Sequence, residues 1–173
     1  IFAKVNYNVL SGSSTDLKVL DISVEEKPTG ELAAGAGVGT DGASVMFSIK
    51  ENNYLGKGLT VDGSINASNT SLRGGLRVIN PNYNYTGNSL YGGLTSSRND
   101  DADSGYENTI TEFDIGTNFE QYDDIYFSPN ISFAFDDLRV DSTASSNLKK
   151  QAGDFTEFYF GYGIAQDKRD RGF

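Results

Sequence analysis

Apolar and polar positions alternate along most of this chain with a period of two. From Gly30 to Thr40, Leu32, Ala34, Ala36 and Val38 share one parity, and Glu31, Ala33, Gly35, Gly37 and Gly39 share the other. That is the period of a β-strand. Thr40, Asp41 and Gly42 supply turn chemistry, because glycine takes positive φ freely and aspartate tolerates it. Ala43, Val45, Phe47 and Ile49 then resume the apolar parity against Ser44, Ser48 and Lys50, so the stretch predicts a hairpin. The same unit recurs and predicts eight strands: Gly30 to Thr40, Ala43 to Asn53, Gly58 to Ser68, Ser71 to Asn80, Asn88 to Ser97, Glu107 to Phe119, Ile125 to Asp136 and Phe155 to Asp167. Pro129 falls inside the seventh, where a missing N–H predicts a bulge or a weak ladder bond.

Residues 1–29 have a different pattern. Ile1, Ala3 and Val5 alternate with Phe2 and Lys4, a polar loop spans Ser11 to Asp16, and Leu17, Val19 and Asp21 alternate with Lys18, Leu20, Ile22 and Val24. Two strands joined by a loop fit, and on these residues alone they could be an edge hairpin of any α+β domain. Pro28 ends the segment.

The two parities of the later strands differ too much for a protein with a dry core. Leu59, Val61, Ile65 and Ala67 oppose Thr60, Asp62, Ser64, Asn66 and Ser68, and Ile125, Phe127, Ile131, Phe133 and Phe135 oppose Ser128, Asn130, Ser132 and Asp136. A face carrying Asp62, Asn66, Arg73, Arg77, Glu112 and Asp114 predicts a wet interior, with the apolar parity turned outward to lipid. Most predicted strands have about the 9–11 residues that a tilted strand needs to cross a bilayer. The mean hydropathy of -0.42 does not conflict, because a membrane barrel is apolar only at alternate positions. Long apolar runs are missing, so no transmembrane helix is expected. The links Tyr54 to Lys57, Pro81 to Gly87 and Glu120 to Asp124 each contain tyrosine and fall on one side, while Arg98 to Tyr106 and Leu138 to Asp154, the longest, are expected on the other, external side.

Composition narrows the chemistry. A net charge of -10, from 14 Lys and Arg against 24 Asp and Glu, argues against phosphate-backbone binding, so no nucleic acid is expected as partner. Cysteine and histidine are absent, which removes disulfides, thiolate metal sites, zinc sites and histidine triads. Gly37 to Gly42 matches GxGxxG with Asp62 twenty residues on, but the motif needs a helix at its end and Ala43 to Asn53 alternates like a strand. Asp100, Asp101, Asp103 and Glu107 could hold a hard cation, yet Gly105 stands where a further ligand belongs, and a solvated loop is the simpler reading. The Asn-x-Ser/Thr triplets starting at Asn66, Asn69, Asn84 and Asn130 are expected by chance in so polar a chain. Glu112 and Asp114 share a strand face without a legible environment that would raise a pKa, and read as pore lining. No catalytic, cofactor or metal constellation emerges, and no enzyme is expected. The chain opens in mid-strand with no leader and stops at Arg171, Gly172 and Phe173, which reads as a piece of something longer.

Four features then occur in one order: the junction Glu25-Glu26-Lys27-Pro28-Thr29-Gly30, the glycine-spaced strand after it, the turn Gly39-Thr40-Asp41-Gly42, and the run Glu51-Asn52-Asn53-Tyr54-Leu55-Gly56-Lys57-Gly58. Together they resemble the start of the barrel in outer-membrane assembly factors of the BamA type. The resemblance implies an all-β fold: the N-terminal half, about eight strands, of an antiparallel transmembrane β-barrel at residues 30–173. Residues 1–29 would be the last two strands of a POTRA-like α+β domain, lying in the periplasm. The implied function is assembly and insertion of β-barrel proteins in the bacterial outer membrane, without ATP. The implied partners are client β-barrels, BAM-type lipoproteins, periplasmic chaperones and outer-membrane lipids. The first barrel strand would be lateral gate and template, with Leu32, Ala33, Ala34, Gly35, Ala36, Gly37, Val38 and Gly39 pairing with a client strand. Its glycines lower strand stability, and an open edge can accept a strand by β-augmentation; alternatively, they only relieve crowding in a curved wall. Alternatives of function are a two-partner-secretion-type transporter of the same superfamily and a passive eight-stranded outer-membrane barrel. The terminal Asp167-Lys-Arg-Asp-Arg-Gly-Phe173 reads as a periplasmic turn rather than as the family's infolded Arg-Gly-Phe loop.

Overall fold

The computed structural model describes residues 2–14, 16–39 and 42–169. In chain order these form β1 (Phe2–Ser11), β2 (Lys18–Glu26), β3 (Gly30–Gly39), β4 (Gly42–Tyr54), β5 (Leu59–Ser68), β6 (Ser71–Asn80), β7 (Ser89–Asp101), β8 (Tyr106–Tyr122), β9 (Ile125–Val140), α1 (Ser146–Lys149) and β10 (Gly153–Gln166). They fall into two compact units, residues 1–30 and 31–173.

The first unit is the antiparallel hairpin β1–β2. Its register brings Val5 to Val24, Tyr7 to Ile22 and Val9 to Leu20, so one face is apolar, while Lys4 with Glu25, Asn6 with Ser23 and Asn8 with Asp21 make the other polar. Every residue of both strands is exposed.

The second unit is one antiparallel sheet of eight strands, β3 to β10, in which each strand lies beside its neighbours in the chain. Such a meander needs only short hairpin links, which the sequence provides. The β8–β9 link is the pair Asp123 and Asp124, with Asp124 at φ 63°, a left-handed conformation that aspartate tolerates. β3 and β10 are the edges and do not pair with each other, so these eight strands do not close as a passive eight-stranded barrel would.

Register aligns the parities across the sheet. One lateral row reads Lys50, Asp62, Arg77, Gly93, Asp114, Ser132, Tyr159. The row beside it, on the opposite face, reads Ile49, Gly63, Leu76, Leu94, Phe113, Phe133, Phe158. A sheet in a water-soluble protein would cover the second row. Here the covered positions are on the first: Ser132 and Ala134 are 8% and 5% exposed, whereas Phe135 beside them is 56% exposed. Among the described residues no large side chain is fully buried, and no helix is long and apolar enough to cross a membrane, which says nothing about a β-barrel.

Two expectations need correction. Arg98 to Tyr106 is not a long link: β7 continues to Asp101 and β8 begins at Tyr106, leaving residues 102–105. The ladder runs through the acidic stretch, pairing Asp100 with Glu107 and Asp101 with Tyr106, because polar side chains at a strand end do not stop backbone hydrogen bonding. The link 81–88 is longer than this one, and only 141–152, which carries α1, exceeds it. Leu138 likewise belongs to β9 and pairs with Gly153. Pro129 produces the weak ladder expected of it rather than a bulge. Pairing of β8 with β9 lapses between Gly116↔Asn130 and Phe119↔Phe127 and resumes in the same register, while Pro129 stays paired with Tyr162 on its other side.

The glycine motif is strand on both sides of its turn: Gly37 and Gly39 lie in β3 and Gly42 opens β4, with residues 40 and 41 outside the described residues. No helix begins there, so the dinucleotide reading has no structural support. Of the terminal segment, Asp170 onward lies outside the described residues.

Candidate functional site

All eight residues from Leu32 to Gly39 lie on β3, at the sheet edge, and all are exposed. An edge strand presents on its free side a row of backbone N–H and C=O groups that no ladder satisfies. Side-chain parity is set by β4. A Cβ built on Gly35 would stand 3.2 Å from Met46 Cγ, and one on Gly37 3.6 Å from Ser44 Oγ, so both glycines share the polar face. A cavity of about 260 Å³ lined by Gly35, Ala36, Gly37, Ser44, Met46 and Asn66 fills the space that larger side chains would take. Leu32 and Val38, of the other parity, are 70% and 88% exposed.

The opposite edge is built differently. β10 pairs with β9 without interruption from Gly153↔Leu138 to Gln166↔Ile125. Rings reinforce that pairing: Phe133 and Phe158 lie 5.0 Å apart between centroids, and Phe127 and Tyr162 lie 6.2 Å apart. Cross-strand aromatic pairs stabilise a sheet by up to ~1 kcal/mol each. β3 has only alanine and glycine at its centre. Of the two edges, β3 has the less side-chain packing to hold it.

The polar face carries the charged groups that the sequence placed there. Arg77 on β6 binds Asp114 on β8, Nη2 to Oδ2, at 3.1 Å, with the Arg77 guanidinium 5.0 Å from the centre of the Tyr91 ring. Asp114, which the sequence placed on one strand face with Glu112, is thereby engaged by a cation two strands away. Near the far end of the strands, Arg98 Nη2 binds Glu107 Oε2 at 2.6 Å, and Asp101 Oδ1 accepts from the Ser104 amide at 2.9 Å. Among the described residues no group of acidic side chains is arranged to hold a metal ion.

The loop after β9 has its own fixing bonds. Asp141 accepts hydrogen bonds from the Thr143 hydroxyl and amide, and these hold its carboxyl below the usual carboxylate range. Asp141 N donates to Gly105 O at 2.9 Å, tying this loop to the β7–β8 turn. Gly105 takes φ 70°, and a Cβ there would come within 2.6 Å of Asp141 Oδ1. Ser145 caps α1, accepting from Leu148 N at 3.3 Å.

Sequence reasoning put Arg77 and Asp114 on one face but did not pair them, and it passed over Tyr91, Gly93 and Gly116. Gly93 lies between Arg77 and Asp114 in their row, and Tyr91 pairs with Gly116. The available signal was the Gly92-Gly93 doublet within an otherwise alternating strand, which marks a close approach.

No protein-family model matches the chain. A solved structure does: that of BamA from Haemophilus ducreyi lacking POTRA domains 1–3, with a TM-score of 0.77 at 18% sequence identity. The alignment covers 99% of this chain and 36% of that one, so the chain spans about a third of its neighbour's length. In fold, therefore, this chain corresponds to a stretch of a BamA-type barrel.

Proposed function

We propose that this chain is part of an outer-membrane barrel-assembly protein in which β3 is the working edge. The observation that carries the reading is an antiparallel sheet with an exposed apolar face and a strand centred on alanine and glycine at one edge. The fold similarity to BamA supports it. In hydrocarbon each unpaired backbone group costs several kcal/mol, so a free edge there seeks a partner strand. Pairing through Leu32, Ala33, Ala34, Gly35, Ala36, Gly37, Val38 and Gly39 would satisfy an incoming client strand by main-chain bonds, with little demand on its side chains. The job needs strand pairing and no bond-making chemistry.

On this reading the apolar rows face the lipid of the bacterial outer membrane. The tyrosine-bearing links, with Tyr83 and Tyr85 between β6 and β7, mark the periplasmic interface. The hairpin β1–β2 belongs to a periplasmic POTRA-like module whose other elements cover its apolar face, since an isolated hairpin is marginal in water. BAM-type lipoproteins and periplasmic chaperones are the expected partners on that side. Cysteines placed singly along residues 32–39, with matching cysteines in the terminal strand of a client barrel, test the assignment by oxidation during insertion into vesicles. Crosslinks that step in register along β3 are expected; equal crosslinking at β10 positions would refute the assignment.

A further inference from the structure

The Arg77–Asp114 ion pair skips a strand. Arg77 is on β6 and Asp114 on β8, and the residue between them in their row is Gly93 of β7. Arg77 Nη2 crosses that glycine to reach both carboxylate oxygens, Oδ2 at 3.1 Å and Oδ1 at 3.3 Å. A Cβ on Gly93 would overlap the Asp114 carboxylate. Two residues along β7, Tyr91 extends under the guanidinium, 5.0 Å from its carbon to the ring centre, and lies over its own row partner Gly116. A Cβ on Gly116 would overlap the Tyr91 hydroxyl. Two glycines on adjacent strands thus provide the troughs in which two side chains lie flat, and a third side chain spans both.

An exposed ion pair contributes little to stability, because water screens it and ordering two side chains costs entropy. This one differs in what it joins. The Asp114 side chain is only 13% exposed, and its partner is two strands away, so shear of β7 against either neighbour strains the same contact. The contribution is to stiffness more than to total stability.

We infer that Arg77, Tyr91 and Asp114, seated on Gly93 and Gly116, are positioning residues that clasp β6, β7 and β8 into one stiff segment of wall and so confine strand-edge movement to the β3 side. The positioning role rests on β3 being the working edge; the clasp does not. With β6–β8 held, bending of the sheet is taken up in β3 to β5, where no such side-chain clasp is seen among the described residues and Gly35 and Gly37 bring no side chain to the β3–β4 contact. The clasp acts through the backbone it holds and does not touch a client.

Hydrogen–deuterium exchange of the protein in lipid nanodiscs, read by mass spectrometry alongside client insertion into vesicles, tests both parts. Asp114→Asn keeps the shape and removes the charge, Gly93→Ala keeps both charges and displaces the carboxylate, and Asp114→Glu restores the charge. Asp114→Asn and Gly93→Ala should each speed exchange of β7 amides severalfold with β10 unchanged and slow insertion, while Asp114→Glu returns both toward the parent values. Parent-like β7 exchange in both variants would overturn the clasp. Faster β7 exchange with parent-like insertion would overturn the positioning role. Gly35→Val assigns that second failure: if it slows insertion, the fault is in the positioning role, and if it does not, the fault is in the reading of β3.

Discussion

At the scale of single residues, glycine acts here mainly through the side chain it lacks. Gly35 and Gly39 both lie on β3, yet an added Cβ meets Met46 Cγ at 3.2 Å in the first case and nothing within 4 Å in the second. Gly35→Val should therefore fold with a small shift of the flexible Met46 side chain and strengthen the strand by its β-branch and, on the proposal that β3 is the working edge, lower the client insertion rate severalfold. Gly39→Ala should leave that rate unchanged. Equal effects of the two would mean that β3 glycines matter only for curvature.

Asp141 gives a pH prediction. Its folded-state pKa is depressed by the Thr143 hydroxyl and amide, so its contribution is fully present above the ordinary aspartate value of ~3.9 and is lost as pH falls through the lower folded value. Proteolysis of the 141–152 loop should stay constant from neutral pH down to about 4 and rise only below that. Asp141→Ala should be cut faster at every pH. A rise in cutting between pH 7 and 5 would show that another group governs the loop.

Residue parity was legible in the sequence, and with it the placement of Arg77 and Asp114 on a wet face. Their pairing was not. Their row depends on the β6–β7 and β7–β8 registers, which the links 81–88 and 102–105 set, and no local pattern in the chain specifies these.

At the scale of elements, the strands were legible where the apolar parity was strong and cut short where it faded. β7 extends past Ser97 through Asp100 and Asp101 because the backbone ladder continues after the outward parity turns polar. β9 shows the same change within one strand, from Phe133 and Phe135 to Asp137 and Arg139 at the same parity. That change marks where the apolar band ends and the strand does not. Pro129 is the element-scale weakness. Its ring nitrogen has no proton to give β8, the ladder pairing lapses at Thr117 and Asn118, and the Thr117 hydroxyl donates to Ser89 O at 2.7 Å on the β7 side. Pro129→Val should restore the missing donor, slow amide exchange around Thr117 and stabilise the sheet by about 1 kcal/mol in a denaturant titration. No change in exchange would mean that the lapse has another cause.

At the scale of the whole molecule, the sheet of residues 31–173 resembles a soluble protein turned inside out. Its apolar rows are exposed, and among its covered positions are the small polar-face residues Ser132 and Ala134. Water is the wrong solvent for a row that reads Ile49, Leu76, Leu94, Phe113, Phe133 and Phe158, and hydrocarbon is the right one. The all-β, antiparallel character of the fold was legible because the two faces of such a sheet impose opposite demands on successive residues, and the chain meets both. Phe133→Arg should then cost about 2–4 kcal/mol if the position lies near the bilayer midplane, and Ser132→Arg far less.

The solvent of that apolar face can be read directly, because the chain contains no tryptophan and a single introduced one is an unambiguous probe. In vesicles containing brominated acyl chains, fluorescence of a Phe133→Trp variant should be strongly quenched and that of a Glu112→Trp variant should not. Quenching of tryptophan at 112 with none at 133 would contradict the account.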